Sequence, residues 1–249
     1  MLEALAILAA GMAAGAINAV VGSGTLITFP VLLAAGYQPV VANVSNTIGL
    51  VPGSVAGAVG YRRELAGQRP RLTQLAPASL AGGITGAAAL LLLPERLFEA
   101  IVPVFIALSL VLVVAQRRLD VALARMRPRE GERPRTWAVV AVFAAGVYGG
   151  YFGAAQGILL LAILGVALQV VVQRINALKV VLAGTVNTVA GVVFAFAADV
   201  AWGPAALIAI GSIAGGWLGA RYGRRLDETH LRGLVVAVGV VAILQLALG

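Results

Sequence analysis

The sequence contains no cysteine, a single histidine and a single lysine among 249 residues. Without cysteine there are no disulfides, thiolate metal ligands or cysteine nucleophile. The histidine, His230, stands in a basic stretch beside Asp227 and Glu228 and reads as part of a solvated helix connection. No metal-ligand cluster or Ser/His/Asp arrangement is visible, so neither an enzyme nor a bound cofactor is expected. Charge is scarce: 11% of the residues are charged and 6% are aromatic, whereas a soluble domain carries about 25% charged residues. Such a surface is not built to face water. A basic signal-peptide region is also missing. Met1 to Val21 holds Glu3 but no lysine or arginine, so the segment reads as a retained membrane helix.

What is present is apolar. Hydrophobic residues make up 61% of the chain, and the mean hydropathy is +0.99. The 31 glycines suit helices packed in lipid, where close backbone approach replaces the hydrophobic effect as the source of adhesion. Apolar stretches fall at 4–21, 24–36, 40–61, 72–93, 97–115, 137–153, 157–172, 177–198, 203–220 and 233–248. A spanning helix needs roughly 20 such residues. The stretches at 24–36 and 157–172 are short, and each follows a glycine-rich break, Gly22-Ser23-Gly24 and Gly149-Gly150 to Gly157. They are either short crossings or the returning arms of re-entrant hairpins, whose backbone must be satisfied by protein or a watery cavity.

A net charge of +8 would suggest nucleic acid in a soluble protein. Here the basic residues lie between apolar runs, so topology accounts for them and no nucleic-acid partner is expected. Four arginines sit at 62–71, seven at 117–135 and four at 221–232, with Arg174 and Lys179 together. Placing these clusters in the cytoplasm accounts for 17 of the 18 positive charges and puts both termini outside. All ten acidic residues lie at segment ends or in loops. The stretch 116–136, with Pro128, Gly131 and Pro134, reads as a basic cytoplasmic linker between membrane repeats at 1–115 and 137–249.

The two halves match at a displacement of 133 residues. Gly24 falls on Gly157, Asn43 on Asn176, Val59 on Val192, Ser79 on Ser212, Ala81-Gly82-Gly83 on Ala214-Gly215-Gly216, and Glu95 on Glu228. Such self-similarity points to duplication. The basic loops of one half correspond to uncharged loops of the other: the four arginines at 62–71 have a mate near 195–204 that holds only an aspartate. The expected fold is therefore an all-α, polytopic integral membrane bundle of two inverted-topology repeats, each with a short broken or re-entrant segment. Many secondary transporters have this architecture, with the site at the repeat interface.

Candidate substrate-binding residues come from two places. In the third and eighth segments, Asn43 pairs with Asn176, Asn46 with Lys179 and Ser54 with Asn187. Asn176, Lys179, Ala183 and Asn187 recur at three- or four-residue spacing and share one helical face. Their amides suit a small oxyanion, although membrane Asn and Ser also serve helix adhesion. Lys179 stands alone against 17 arginines. A compact ammonium with a tunable pKa is one reason to keep it, and an inward-facing cation is a functional candidate; a lysine snorkelling to headgroups is the plain alternative. The second place is the breaks, Gly22-Ser23-Gly24-Thr25 and Gly153-Ala154-Ala155-Gln156-Gly157. Each opens a short helix whose N–H groups attract anions, with Asn18, Ser23, Thr25 and Gln156 as added donors. Tyr148, Tyr151 and Phe152 either gate a path or pack.

These motifs resemble those of the sulfite exporter TauE/SafE family, also called the toluene sulfonate uptake permease family. Gly22-Ser23-Gly24-Thr25-Leu26-Ile27 with Pro30 looks like its first glycine-rich motif, with Ser23 and Thr25 around Gly24 where a glycine triplet is usual. Tyr148-Gly149-Gly150-Tyr151-Phe152-Gly153-Ala154-Ala155-Gln156-Gly157-Ile158 and Asn176-Ala177-Leu178-Lys179 resemble it further. The resemblance implies a bacterial inner-membrane permease for sulfite, thiosulfate, sulfonates or related organic anions. The expected partners are a small anionic substrate and the lipid bilayer, and spare Gly/Ala surfaces permit a homodimer.

Overall fold

A computed structural model describes residues 1–125, 134–168, 170–222, 233, 235–241 and 243. The positions of His230, Asp227, Glu228 and most of the expected stretch at 233–248 lie outside the described residues. Among the described residues the chain forms helices and no strand. In the first half these are α1 (Leu2–Val20), α2 (Thr25–Ala34), α3 (Pro39–Gly60), α4 (Arg69–Leu92) and α5 (Glu95–Arg125). In the second half they are α6 (Thr136–Tyr151), α7 (Gln156–Leu168), α8 (Val172–Ala197) and α9 (Trp202–Tyr222); residues 235–241 are also helical. The expected linker at 116–136 begins inside a helix, because α5 continues to Arg125.

Five helices are long and apolar enough to cross a membrane: α1, α4, the 95–116 part of α5, α8 and α9. The 22-residue α3 is not among them. Its sequence carries Asn43, Ser45, Asn46 and Thr47, each at most 5% exposed, so it is a central helix whose polar groups face protein. The 10 residues of α2 and 13 of α7 extend about 15 and 20 Å at 1.5 Å per residue, short of the roughly 30 Å hydrocarbon layer. After the first break the chain doubles back along α1, so that a Cβ on Gly24 would sit 2.4 Å from the Ala14 carbonyl oxygen. Both short stretches are thus half-length returning helices.

The halves interleave. The fourth helix of the first half, α4, packs on α6 and α8, and its mate α9 packs on α1 and α3. The Ala-Gly-Gly runs form the seams, because small residues let helix backbones touch. A Cβ on Gly82 would lie 2.3 Å from the Phe143 carbonyl oxygen, and one on Gly215 would lie 1.9 Å from that of Met12. Gly86 meets the Val147 carbonyl and Gly219 that of Ala16 in the same way. The α4 and α9 members of these pairs are 133 residues apart, but Phe143 follows Met12, and Val147 follows Ala16, by 131. The first helices therefore match in a register two residues off that of the third and fourth, since the second half has a longer path between its first and third helices.

The order of these contacts also fixes helix direction. Gly11, Gly15 and Ala16 of α1 meet Ile208, Ser212 and Gly219 in rising order, as do Gly49, Gly53 and Gly60 of α3 with Ile208, Ser212 and Ala220. Across the centre, Ile48, Ser54 and Gly57 of α3 meet Gly191, Gly184 and Val180 of α8 in falling order. Helices α4 and α8 run together, with Gly83 on Val186 and Ser79 bonded to Leu182. Helices α1, α3 and α9 point one way, and α4, α6 and α8 the other. Each helix opposes its mate, as an inverted repeat requires.

Candidate functional site

The two breaks are built alike. At the end of α1, the N–H groups of Val21 and Gly22 both donate to the Ile17 carbonyl (2.7 and 2.8 Å). At the end of α6, those of Phe152 and Gly153 both donate to Tyr148 (3.0 and 3.2 Å). Gly22 and Gly153 take φ +92° and +79°, the left-handed conformation in which glycine ends helices without a Cβ penalty. The breaks then touch. The Gly157 N–H donates to the Gly22 carbonyl at 3.1 Å, and a Cβ on either glycine would lie 2.5–2.6 Å from the other's Cα.

Beside this junction is a small cavity lined by residues of both halves. Of the eleven candidate residues, Gly22, Thr25, Gln156, Gly157, Lys179 and Asn187 line it, joined by Asn18 and Ser54. It offers about 20 Å³ for water centres, room for about one water molecule. Lys179 reaches it from α8 and is only 1% exposed. Its Nζ donates to the Val20 carbonyl at 3.0 Å and the Ala19 carbonyl at 3.3 Å, where the negative end of the α1 dipole gathers. Tyr61 also donates to the Ala19 carbonyl. The lysine therefore points into the protein and does not snorkel.

The other five candidates stand outside the cavity lining. Asn43 donates to the Tyr151 carbonyl at 2.9 Å. Asn46 joins Thr25 and Thr28 of α2 through hydrogen bonds. Gly24 gives its N–H to the Asn18 Oδ1 at 2.8 Å, so the helix-start donors expected at Gly24 and Gly157 are both occupied in this conformation. Ser23 is 1% exposed, and its Oγ has no hydrogen-bond partner; the same holds for Asn176 Oδ1 and for Nε2 of the cavity-lining Gln156. A buried polar group without a partner is costly and demands an explanation. Here each break carries one, in Ser23 and Gln156.

Tyr148, Tyr151 and Phe152 pack. Phe152 meets Phe29, Phe98 and Phe105 with ring centroids 5.3–6.0 Å apart, and Tyr148 meets Phe105 edge-on. The Tyr148 hydroxyl and Ser109 Oγ both donate to the Ala154 carbonyl, at 2.6 and 3.1 Å. Ser109 gave no sequence signal, since a lone serine in an apolar helix resembles any other. The glycines Gly15, Gly53 and Gly57, which bring three helices close enough to wall the cavity, are lost in a chain rich in glycine.

Comparison with known proteins agrees with this architecture. The family model described as Sulfite exporter TauE/SafE matches residues 7–246. The chain is 26% identical over 238 residues to the probable membrane transporter protein ORF9 of Sinorhizobium sp, covering 95% of this chain and 89% of that protein. It is 24% identical to the probable membrane transporter protein YfcA of Escherichia coli strain K12, covering 92% of this chain and 84% of the relative. No solved structure matches. These likenesses indicate a multi-pass membrane transporter rather than an enzyme.

Proposed function

We propose that this chain, which belongs to the sulfite exporter TauE/SafE family, is a secondary transporter that moves small sulfur-containing or organic anions by alternating access. The candidate cargoes are sulfite, thiosulfate and simple sulfonates. The observation that carries the reading is Lys179, an ammonium 1% exposed in a polar cavity between the two broken segments. Burying an ammonium costs several kcal/mol, and a helix C-terminus returns at most about 2 kcal/mol. An arriving anion adds a full opposite charge. Gln156, Thr25 and Asn187 line the same space and supply amide and hydroxyl donors, while Asn43, Asn46 and Asn176 hold the surrounding helices.

The described conformation is closed, with room for about one water. Admitting an anion means parting the Gly22–Gly157 junction and drawing Lys179 away from the α1 carbonyls. Two opposed halves meeting at that junction fit exposure of the site to alternate sides. No carboxylate of the described residues lines the cavity, which leaves the lysine as its charged group. The direct test is flux of sulfite, thiosulfate and simple sulfonates in proteoliposomes. Saturable uptake with counterflow is expected of a carrier, whereas unsaturable flux points to an anion channel, and none with any anion to a scaffold role. Full activity in Lys179→Ala would remove the lysine from the mechanism.

A further inference from the structure

We propose that the chain holds one anionic phospholipid outside the central cavity, its phosphate among Arg62, Arg63 and Arg221 and an acyl chain in the groove between α3 and α8. Two separate spaces meet at Arg62. The first is a laterally open groove of about 740 Å³ whose walls include Val55, Val59, Val181, Val189 and Val192. Three hydroxyls also line it, yet each is turned to its own helix: Ser54 donates to Leu50, Thr185 to Val181 and Thr188 to Gly184, at 3.1, 2.9 and 2.7 Å. The groove therefore offers apolar surface. From Val180 to Val192 it follows about 18 Å of α8, close to the roughly 15 Å of hydrocarbon in one leaflet.

The second space, of about 280 Å³, lies at the ends of α3 and α9 and is lined by Arg62, Arg63, Glu64, Trp217 and Arg221. Arg221 lies over the rings of Trp217 and Tyr222, at 5.0 and 5.6 Å from their centroids. Three guanidiniums against one carboxylate leave the pocket cationic. Guanidiniums present a planar fork suited to phosphate oxygens, and tryptophan and tyrosine favour the headgroup level. Basic pockets between membrane helices are a recognised setting for anionic headgroups. A free phosphate would use the arginines and leave the groove idle; a neutral lipid would use the groove and leave the arginines idle. An anionic phospholipid uses both. Ser54 and Val180 border the groove and the central cavity alike, so the acyl chain would lie against a wall of the transport site.

Native mass spectrometry of the detergent-purified full chain, titrated with phosphatidylglycerol and with phosphatidylcholine of the same chains, tests this. Preferential retention of phosphatidylglycerol is expected. Arg62→Gln and Arg221→Gln should each weaken it about fivefold, while Arg135→Gln, in a different basic cluster, leaves it unchanged. Thr188→Trp or, should that variant not fold, Val59→Trp fills the groove and should weaken both lipids. Equal retention of the two lipids, or equal loss in Arg135→Gln, identifies unselective boundary lipid and overturns the proposal. Competition by glycerol 3-phosphate as effective as the lipid itself identifies a free-anion pocket and overturns it as well.

Discussion

The last carbonyl of α1 and the last carbonyl of α6 are each held by a side chain from the third helix of the opposite half, with different chemistry. Val20 is held by the ammonium of Lys179, on α8. Tyr151, its mate at 131 residues, is held by the amide of Asn43, on α3. One clamp is charged and the other neutral. A neutral amide on a carbonyl is an ordinary tertiary hydrogen bond worth about 1 kcal/mol. A buried ammonium in the same role is an expensive choice unless the charge has a second use. The surroundings differ to match: the second break is clad in Phe29, Phe98, Phe105 and Phe152, while the first break lies against the polar cavity. Duplication supplied one device, and only one copy was given charge.

The largest effect should come from exchanging that charge. Lys179→Met keeps the length of the side chain and removes the ammonium, and anion uptake in proteoliposomes should fall by at least about 100-fold, the equivalent of about 3 kcal/mol. Asn43→Ala should lower the thermal unfolding midpoint, through loss of one buried hydrogen bond, with uptake within about tenfold of the parent. Equal transport losses in the two variants would mean that the clamps are equivalent and that the charge has no separate role.

Next in size is the junction itself. A Cβ on Gly22 would meet the Gly157 Cα at 2.6 Å, and Gly22 also holds φ +92°. Gly36 has almost the same angle, +89°, with nothing within 4 Å of a Cβ. Gly36→Ala should therefore cost only the backbone strain, about 1 kcal/mol, whereas Gly22→Ala adds the steric cost of forcing two backbones apart. The excess of Gly22→Ala over Gly36→Ala, read from unfolding midpoints in detergent, measures how tightly the two breaks are pressed together. No excess would show the junction to be loose.

How much of this was legible beforehand depends on what kind of group does the work. Lys179 was legible because it is the sole lysine, and the membrane segments because their apolar runs are long. Its partners were not, since the Ala19 and Val20 carbonyls carry no side-chain signature. The displacement of 133 paired Asn43 with Asn176 and Asn46 with Lys179, yet the residues doing the same job are Asn43 and Lys179. The two extra residues between α6 and α8 move the first helices into a register of 131 and hide that equivalence. Interleaving was illegible for a broader reason: helical periodicity says which face is buried and not which helix covers it.

A smaller effect is expected where the second break is pinned twice. Tyr148 and Ser109 both donate to the Ala154 carbonyl. Tyr148→Phe or Ser109→Ala alone leaves the acceptor satisfied, so each should cost no more than about 1 kcal/mol, and the double variant more than the sum, because the carbonyl is then orphaned. Additive losses would mean that the two hydroxyls act independently of that carbonyl.

The smallest effect is predicted at Ala155, which holds φ +58° and is fully buried. The first break meets its positive-φ requirement with Gly22 alone, whereas the second adds an alanine to Gly153. Ala155→Gly relieves a left-handed strain of about 1–2 kcal/mol. It also frees the unfolded chain by about 0.5–1 kcal/mol and removes one buried methyl worth about 0.8 kcal/mol. These terms nearly cancel, so the unfolding midpoint should stay within the equivalent of about 0.5 kcal/mol of the parent. Ala145→Gly, at a buried position inside α6, has no such strain to relieve and should lose the full helix and methyl terms, about 1–2 kcal/mol. If the two variants lose the same amount, the alanine at the second break is under no strain, and the cladding of aromatic rings has shaped a backbone in which it rests as easily as glycine does at the first.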